Sequence, residues 1–257
     1  MVLRAETNPK AAEWLSTSIE PHWGRSHDAN YVAAVVPRGF EAYARVLHPA
    51  FDAVEQRPAT WAEVADYFGA TPHAQMQWDA IHREPKGRRY GKPFGVANGE
   101  LSSSTQRAFI EPAVGILPEA QFRALCEILA RFTTAPDDCV FAVWDGWGVP
   151  GLESRWQGAS RLQLSDRTYY LLRGPIEAAA CLSTSNGCIG ASLWWPVDRA
   201  WCVSTEIDLM STYIGGSAAC VSTLLSDNRI EAYPTALDHR VDRSGDTVNT
   251  ASRYPDR

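Results

Sequence analysis

The chain has 257 residues, of which 45 % are apolar and 21 % are charged, and ten residues are tryptophan. This composition is ordinary for a globular protein and excludes disorder over most of the chain, and the length allows one large domain or two small ones. The net charge of −6 argues against a protein devoted to nucleic acid, and the longest apolar runs are far shorter than the roughly 18 residues that cross a bilayer.

The first residues, MVLRAETNPK, lack the apolar core of a signal peptide, so we expect a cytoplasmic protein with no membrane partner. The six cysteines form no Cys-x-x-Cys pair and lie mostly among apolar residues. In a reducing compartment such cysteines are small buried hydrophobes, and disulfides are not expected. The six histidines do not have the spacing of a known zinc-binding pattern, so no metal site is expected.

Three patterns predict regular structure in the first third of the chain. Residues 31–36, YVAAVV, are typical of a strand. Residues 60–63, TWAE, form a capping box and predict a helix that ends at Phe68, since Gly69 follows as a C-cap. The Thr-Pro pair near the start of residues 71–82 predicts a second helix leading to His82.

Residues 83–105 contain four glycines and two prolines and form a predicted loop of unusual length. Loops of this length are functional or disordered, so the segment is a candidate lid or a boundary between two regions. Its first ten residues carry five cations and one carboxylate, which suits a phosphate or an acidic partner, or else a solvated loop. No P-loop or dinucleotide fingerprint is present, so no cofactor is expected, and nucleic acid is the least favoured partner.

The second half of the chain has clearer periodicity. Apolar residues recur at helical spacing between Pro118 and Phe132, and Ser217 is the predicted N-cap of a further helix. Strands are predicted at residues 139–144, 168–172, 201–207 and 229–233. The short connections between strands favour an α+β fold with a mixed or mostly antiparallel sheet and packing helices on one side.

Composition shifts along the chain predict its organisation. Residues 1–82 are expected to form an N-terminal α/β region, and residues 106–235 a C-terminal α+β core, on either side of the loop 83–105. Residues 236–257 are expected to form a frayed polar tail. We expect these parts to make one compact unit.

Residues 193–217 combine three tryptophans with four charged side chains, which is typical of either a satisfied core strand or the wall of a binding site. Strand alternation places Glu206 and Asp208 on one face, and Asp145 is expected nearby. These three carboxylates are the candidate catalytic residues, because a pair of fixed carboxylates can act as general acid and base on a sugar. The candidate ligand-binding residues are Trp144, Trp147, Trp194, Trp195, Asp198 and Arg199.

The same residues also allow a purely structural interpretation. In that case Glu206 pairs with Arg199 or Arg167, Asp208 caps a turn, and the tryptophans fill the core. The replacement Glu206→Gln distinguishes the two interpretations, since a structural carboxylate affects stability whereas a catalytic one affects activity alone.

Several motifs resemble those of a family of uncharacterised actinobacterial proteins. They are YARVLHP at residues 43–49, FAVWDGW at 141–147, RTYY at 167–170, WWPVDRAW at 194–201, TEID at 205–208 and TYIGGS at 212–217. The resemblance spans roughly residues 30–235 and implies a single compact unit, without implying an activity. A weaker similarity, to small α+β immunity proteins, rests on an Asp-containing strand that leads into a Tyr-x-Gly-Gly-Ser helix start.

These observations lead to two functional hypotheses. The first is a non-enzymatic protein that binds a protein partner, for example as an immunity or accessory module. The alternative is a small-ligand or carbohydrate-acting enzyme whose pocket is lined by tryptophan and carboxylate side chains. The sequence leaves open whether the protein is an enzyme, and whether it binds a protein or a small molecule.

Overall fold

A computed structural model describes residues 3–20, 30–82, 108–164, 167–179, 182–184 and 187–249. The strands in these ranges are β1 (Arg4–Ala5), β2 (Ala42–Leu47), β3 (Ala50–Asp52), β4 (Arg57–Ala59), β5 (Phe109–Ile110), β6 (Cys139–Trp144), β7 (Arg161–Leu164), β8 (Arg167–Gly174), β9 (Leu182–Thr184), β10 (Gly187–Ile189), β11 (Leu193–Pro196), β12 (Cys202–Thr205), β13 (Ser211–Gly216) and β14 (Ala232–Thr235). The helices are α1 (Leu15–Ser18), α2 (Trp61–Phe68), α3 (Trp78–Ile81), α4 (Glu119–Leu129), α5 (Leu152–Arg155) and α6 (Ala218–Ser226). The predicted loop 83–105 and its basic stretch lie outside the described residues.

Nine of the strands in the described ranges form one antiparallel sheet. Its order is β1-β8-β6-β11-β12-β13-β2-β14, and β7 also pairs with β8. Two smaller antiparallel sheets have the orders β4-β3-β5 and β10-β9. This architecture confirms the predicted α+β fold with a mostly antiparallel sheet. None of the helices in the described ranges has the length and apolarity needed to cross a membrane.

Both faces of the large sheet are covered. The two longest helices, α4 and α6, pack on one face, where Phe122 and Leu125 join Phe141, Trp194 and Trp201 in the main core. The opposite face is covered by α1, by the segment that contains a 3-10 helix at Val32–Ala34, and by α2 and α3. The layer of helices predicted on one side of the sheet consists of α4 and α6. Shorter helices and connecting segments form the second layer, on the opposite face.

Several predicted elements are confirmed within a few residues. The capping box forms as expected, with the Thr60 hydroxyl accepting from the Glu63 amide and the Glu63 carboxylate accepting from the Thr60 amide. Gly69 ends the helix in the left-handed conformation, at φ 69°. The strand at Cys139–Trp144 and the helix with N-cap Ser217 also form as predicted.

Two predicted elements are wrong. Residues 31–36 form no strand, because a short 3-10 helix at Val32–Ala34 tucks its apolar side chains under the large sheet. Residues 71–82 form a helix only at Trp78–Ile81, and the Thr71 amide donates instead to the side chain of Asn249.

The strands β2 and β13 are not among the predicted elements, although they lie side by side in the interior of the large sheet, next to the edge strand β14. Their apolar alternation is interrupted by Arg45 in β2 and by Gly215 and Gly216 in β13, which weakens the strand signal. In the structure Gly215 lies directly opposite Tyr43, and the Phe40 ring occupies the space that a Cβ at Gly215 would need. Gly215 and Gly216 are therefore the last residues of β13, and Ser217 alone is the N-cap of α6.

The first part of the polar tail is ordered rather than frayed. Residues 236–249 pack against the second layer, and Val241 is 2 % exposed. The carboxylate of Asp246 has no exposed surface and accepts hydrogen bonds from the Gln77 and Asn249 amides and from the His73 ring. This buried carboxylate fastens the tail to residues 73–77.

A buried polar chain links β2 to β12 and β13. The ring of His48 makes two contacts, Nδ1 to the Ala113 carbonyl at 2.6 Å and Nε2 to the Thr212 hydroxyl at 2.9 Å. Because a carbonyl only accepts, Nδ1 carries the proton and Nε2 accepts from Thr212. Thr212 in turn lies 2.8 Å from the Thr205 hydroxyl, so the chain is complete without water. Burial lowers the pKa of His48 to about 4, and its imidazole is neutral in the folded state.

The neutral imidazole makes stability depend on pH. Below the ordinary histidine pKa of about 6.5, the unfolded chain binds a proton that folded His48 excludes until about pH 4. We therefore expect the free energy of unfolding to fall by up to about 3 kcal/mol as the pH is lowered across this window.

Urea unfolding at several pH values gives the free energy of unfolding of wild type and of His48→Gln. The difference between the two proteins at each pH isolates the contribution of His48, because the other titrating groups are common to both. Above pH 7 the difference in the free energy of unfolding between the two proteins should be constant. Below pH 7 it should change progressively as the pH is lowered towards 4. A difference between wild type and His48→Gln that is constant with pH would contradict the prediction.

Candidate functional site

The two adjacent tryptophans Trp194 and Trp195 are core residues on opposite faces of β11. Trp194 packs 5.5 Å from Phe122 and 5.2 Å from Trp201, measured between ring centroids. Trp195 packs on the other face, 5.8 Å from Trp14. Both are at most 2 % exposed, so neither is available to a ligand.

The remaining predicted ligand-binding residues lie at two ends of the sheet. Trp144 and Trp147 meet edge to face at the end of β6, beside Asp145, whose carboxylate pairs with Arg161 at 3.0 Å. Asp198 and Arg199 follow β11, whose last residue pairs with the first residue of β6. The six residues of β6 span roughly 17–20 Å, so these groups do not form one site.

Asp198 and Arg199 have local structural contacts. The Asp198 carboxylate accepts from the Thr133 hydroxyl and from the amide and hydroxyl of Thr134. The Arg199 guanidinium lies 5.3 Å from the centroid of the Trp14 ring. These contacts fix the turn after β11 against the end of α4 and the first helix.

Glu206 and Asp208 both bind Arg167. The strand β12 ends at Thr205, so the two carboxylates lie in the following turn rather than on a strand face. Arg167 donates from Nη1 to Glu206 and from Nη2 to Asp208, the latter at 2.7 Å. Burial raises the pKa of Glu206, although Arg167 beside it acts in the opposite direction. Arg167 also lies 5.7 Å from the centroid of the Trp144 ring.

The turn that carries Glu206 is held by Gly115. The Gly115 amide donates to the Leu209 carbonyl at 2.9 Å, and a Cβ at this position would lie 2.6 Å from the Ile207 carbonyl oxygen. Its φ of 72° also favours glycine. The cavity beside Glu206 and Arg167 has a volume of about 40 Å³, which is room for a few waters and not for a sugar ring.

A larger cleft lies elsewhere, between the large sheet and the second layer. Its volume is about 290 Å³. We call it the Arg45 cleft, and the residues that define it are Asn30, Arg45, Trp61, Trp78, Met210 and Tyr213. Of the predicted site residues, only Asp208 lines this cleft.

The strand β2 places Arg45 in this cleft by simple alternation. Tyr43, Arg45 and Leu47 point to the second layer, while Ala44 and Val46 point to the opposite face, where Val46 joins the main core. Tyr213 lies directly opposite Arg45 on β13, so both side chains share one face. The wall of the cleft opposite the sheet contains Trp61, the first residue of α2, and Trp78, the first residue of α3.

Those two tryptophans form a fixed aromatic wall. The rings of Trp61 and Trp78 are 5.5 Å apart and inclined by 62°. Trp61 is held by its indole N–H, which donates to the His48 carbonyl at 2.8 Å. Its helix is held by Glu231, whose carboxylate accepts from the Trp61 and Ala62 amides. The wall is therefore set before any ligand arrives.

The guanidinium of Arg45 is buried without a carboxylate partner. Arg45 is 4 % exposed. Its Nε donates to the Ser211 hydroxyl at 3.0 Å, and its Nη1 donates to the carbonyls of Met76 at 2.9 Å and Ala74 at 3.3 Å. No carboxylate of the described residues lies within 4.0 Å of its nitrogens. Three of its five N–H groups are thus used, and both that remain are on Nη2.

Two further polar atoms in the cleft lack partners. The indole nitrogen of Trp78 and the side-chain oxygen of Asn30 are buried and form no hydrogen bond in the described part of the chain. The Asn30 amide nitrogen is engaged, since it donates to Asp242 at 3.1 Å. Neither atom has exposed surface, so both lie within the packed walls of the cleft, where an unpaired polar atom is costly.

Arg45 is not among the site residues predicted from the sequence. Its only signal is one arginine within the apolar run AYARVL, at a position whose neighbours two residues away are Tyr43 and Leu47. Recognising it requires knowing that residues 42–47 form a strand with a neighbour on each side. Asn30 and Trp78 have no distinguishing signal in the sequence.

Comparison of the chain with protein-family models, with curated proteins and with solved structures gives no match. In the described ranges, no group of three or more histidine, cysteine, aspartate or glutamate side chains is arranged to hold a metal ion.

The Arg167 cluster predicts a stability effect that separates its two carboxylates. Glu206→Gln removes the more buried partner, at 11 % side-chain exposure, and we expect a loss of about 1–3 kcal/mol in the free energy of unfolding. Asp208→Asn removes a partner that is 63 % exposed, and should cost less than about 1 kcal/mol. Urea unfolding at pH 7 measures both. Equal losses, or a stable Glu206→Gln variant, would contradict a structural role for Glu206.

Proposed function

We propose that this protein binds a small organic carboxylate in the Arg45 cleft. The carboxylate accepts from the free Nη2 of Arg45, and the rest of the molecule packs against Leu209 and Met210, the half-buried apolar side chains of the lining. The observation that carries the proposal is the buried guanidinium with no carboxylate partner among the described residues. The sequence already suggested a small-ligand site as the alternative to a protein-binding role. The proposal keeps the small ligand but places it at a different set of residues.

Electrostatics support an anionic ligand. A buried charge is costly unless it is paired, and hydrogen bonds to charged groups contribute about 1.5–3 kcal/mol each. The Ala74 and Met76 carbonyls solvate one nitrogen of Arg45 but carry no net charge to balance it. The carboxylate of Glu231 is occupied by the amides at the start of α2. Burial raises the pKa of Glu231, and Arg45 acts on it in the opposite direction only through space, without a hydrogen bond between them. An incoming carboxylate therefore supplies the direct partner that the guanidinium lacks among the described residues.

The size of the cleft supports a small ligand. Its volume of about 290 Å³ is at the lower end for organic ligand sites. At the roughly 10–15 Å³ that each water needs in the smaller cavity, the space holds on the order of twenty waters. A macromolecule enters such a cleft only by a single side chain, so a free small molecule is the better fit.

The side chains around the cleft favour binding over reaction. Its lining within the described ranges includes no histidine, cysteine or lysine. Its three aspartates, Asp79, Asp208 and Asp242, are each paired with an arginine. A general base or nucleophile would have to come from these occupied groups.

Acetate provides the simplest test of this binding. In ¹⁵N-labelled protein, sodium acetate should shift the indole N–H resonance of Trp78 in a saturable way, while sodium chloride at the same ionic strength should not. We expect a Kd on the order of millimolar, since acetate fills only the charged end of the cleft.

Three variants locate the acetate site. Arg45→Met should abolish the shift, and Arg45→Lys should weaken it, because lysine keeps the charge and loses the fixed geometry. Arg161→Met is the matched control, since Arg161 lies on β7 outside the cleft. A shift that persists in a folded Arg45→Met protein, or one that chloride reproduces in wild type, would overturn the proposal.

A protein partner is the second proposed function, and the small sheet β4-β3-β5 supports it. Pairing aligns Pro58, Phe51 and Ile110 across its three strands, and all three are exposed. Phe51 and Ile110 are each 36 % exposed, and Val54 nearby is 57 % exposed. A contiguous apolar face of this kind is typical of a protein-binding surface.

Phe51→Ser tests this surface. If a lysate protein binds the tagged wild type in stoichiometric amounts, Phe51→Ser should weaken its binding roughly tenfold or more, since one central aromatic often dominates an interface. Val197→Ser is the control, because Val197 is equally exposed at 40 % but follows β11 of the large sheet. Binding measured by calorimetry that is unchanged in Phe51→Ser, or lost equally in both variants, would contradict this role.

A further inference from the structure

We infer that Asp246 is a positioning residue of the Arg45 cleft, and that docking of the tail that carries it, residues 236–249, prepares the cleft for its ligand. This inference rests on the proposed function and concerns the regulation of that same site. Two observations carry it. Asp246 is connected to Arg45 through two peptide groups, and the tail forms part of the cleft.

The first connection between Asp246 and Arg45 is a single peptide group, the one that joins Met76 to Gln77. Its carbonyl accepts from Arg45 Nη1 at 2.9 Å, and its N–H donates to Asp246 Oδ2 at 3.1 Å. Because a trans peptide group is planar and its N–H and C=O point to opposite sides, the two hydrogen bonds are made by one rigid unit. The contact with Asp246 therefore fixes the direction of a carbonyl that holds Arg45.

The second connection passes through the ring of His73. The Gln75 amide donates to His73 Nδ1 at 3.3 Å, and since an amide N–H only donates, Nδ1 is an acceptor and the ring proton is on Nε2. Nε2 in turn donates to Asp246 Oδ1 at 2.9 Å. The peptide group that joins Ala74 to Gln75 has its carbonyl 3.3 Å from Arg45 Nη1. Both peptide groups that hold Arg45 are thus held on their other side, directly or through the ring, by one carboxylate.

The charge of Asp246 strengthens this arrangement. Its side chain has no exposed surface. Burial raises the pKa of its carboxyl, but hydrogen bonds from Asn249, Gln77 and His73 outweigh burial and hold that pKa below its ordinary value, so the group is ionised at neutral pH. Hydrogen bonds in a chain polarise one another, so a peptide group that donates to an anion accepts more strongly from a cation. Asp246 therefore stabilises the bonds to Arg45 Nη1 while Nη2 stays available to the ligand.

The tail also supplies part of the cleft. Three of its residues, Val241, Asp242 and Arg243, belong to the lining. The tail is attached to residues 30–33 by backbone hydrogen bonds, one of them from the Val241 amide to the Asn30 carbonyl at 2.9 Å, and to residues 73–77 by Asp246. Release of the tail removes this wall and the Asp246 contacts together. A ligand in the cleft therefore favours the docked tail by linkage.

Hydrogen exchange in wild type tests the coupling without any variant. Sodium acetate at about ten times its Kd should slow exchange of the Val241 and Asn249 amides roughly tenfold, because the tail then opens only in the ligand-free protein. Sodium chloride at the same ionic strength should not slow it. The Arg155 amide is the reference and should be unchanged, since it lies in α5, which packs on the opposite face of the sheet. Exchange of the tail amides that is unaffected by bound acetate would overturn the inference.

Two variants of equal size test the positioning role of Asp246. In Asp246→Asn the charge is lost and an amide N–H faces the donors of Gln77 and His73, so acetate binding should weaken roughly tenfold and the Nε–H resonance of Arg45 should shift. Asp238→Asn is the matched control, since it removes the same charge from an exposed position of the same tail, and it should change neither property. Both are compared at a temperature where thermal unfolding shows them to be folded.

The variant His73→Ala breaks only the second connection, so it should weaken acetate binding less than Asp246→Asn does. If Asp246→Asn does not fold, His73→Ala and the exchange measurement decide the inference in its place. Acetate binding that is unchanged in His73→Ala would then count against the inference.

The remaining outcomes separate the inference from the proposed function. If acetate binds wild type through Arg45 and binds folded Asp246→Asn equally tightly, the inference is wrong and the proposed function stands. If acetate does not bind wild type, both are wrong. If Asp238→Asn weakens binding as much as Asp246→Asn, the effect comes from the net charge of the tail, and the positioning role is wrong.

Discussion

The arrangement of the second layer depends on one buried positive charge. Arg45 projects from β2, the strand next to the β14 edge of the sheet, and is 4 % exposed, and its hydrogen bonds reach in two directions. One bond ties it to Ser211 on the neighbouring strand, and two tie it to the carbonyls of residues 74 and 76. Its guanidinium also lies 5.4 Å from the centroid of the Trp61 ring. The same side chain therefore joins the sheet, the chain before α3, and the first residue of α2.

The other well-contacted arginines of this protein show what Arg45 lacks. Arg167 binds two carboxylates, Glu206 and Asp208. Arg173 likewise binds Glu6 at 2.9 Å and Asp138 at 2.5 Å. Both are more exposed than Arg45, so the most deeply buried of these three cations is the one that no carboxylate of the described residues contacts directly, and Glu231 acts on it only through space. Because burial makes an unpaired charge more costly, this order is the reverse of what stability alone favours.

The sequence predicted best those elements whose signals are local. The capping box of Thr60 and Glu63 and the helix after Pro118 depend on neighbours three or four residues away, and both form. Residues 31–36 have the composition of a strand, yet tertiary packing of Val32 and Val36 under the sheet makes them a 3-10 turn. The site predicted around Glu206 and Asp145 also included Asp198, which lies at the opposite end of β6, because alternation along a strand does not say which end its neighbour presents.

The position of the candidate site follows from what the tryptophans do. Trp194, Trp195 and Trp201 are buried in the two core layers on either side of the sheet. The segment of the sequence that is densest in tryptophan and charge therefore belongs to the core and not to the candidate site. The Arg45 cleft is assembled instead from segments far apart in the chain, whose meeting no local pattern encodes. Its wall includes Val241, Asp242 and Arg243 of the tail, which is fastened by the buried carboxylate of Asp246. A ligand in the cleft therefore binds only the arrangement with the tail docked, and by linkage its binding free energy adds to the stability of that arrangement.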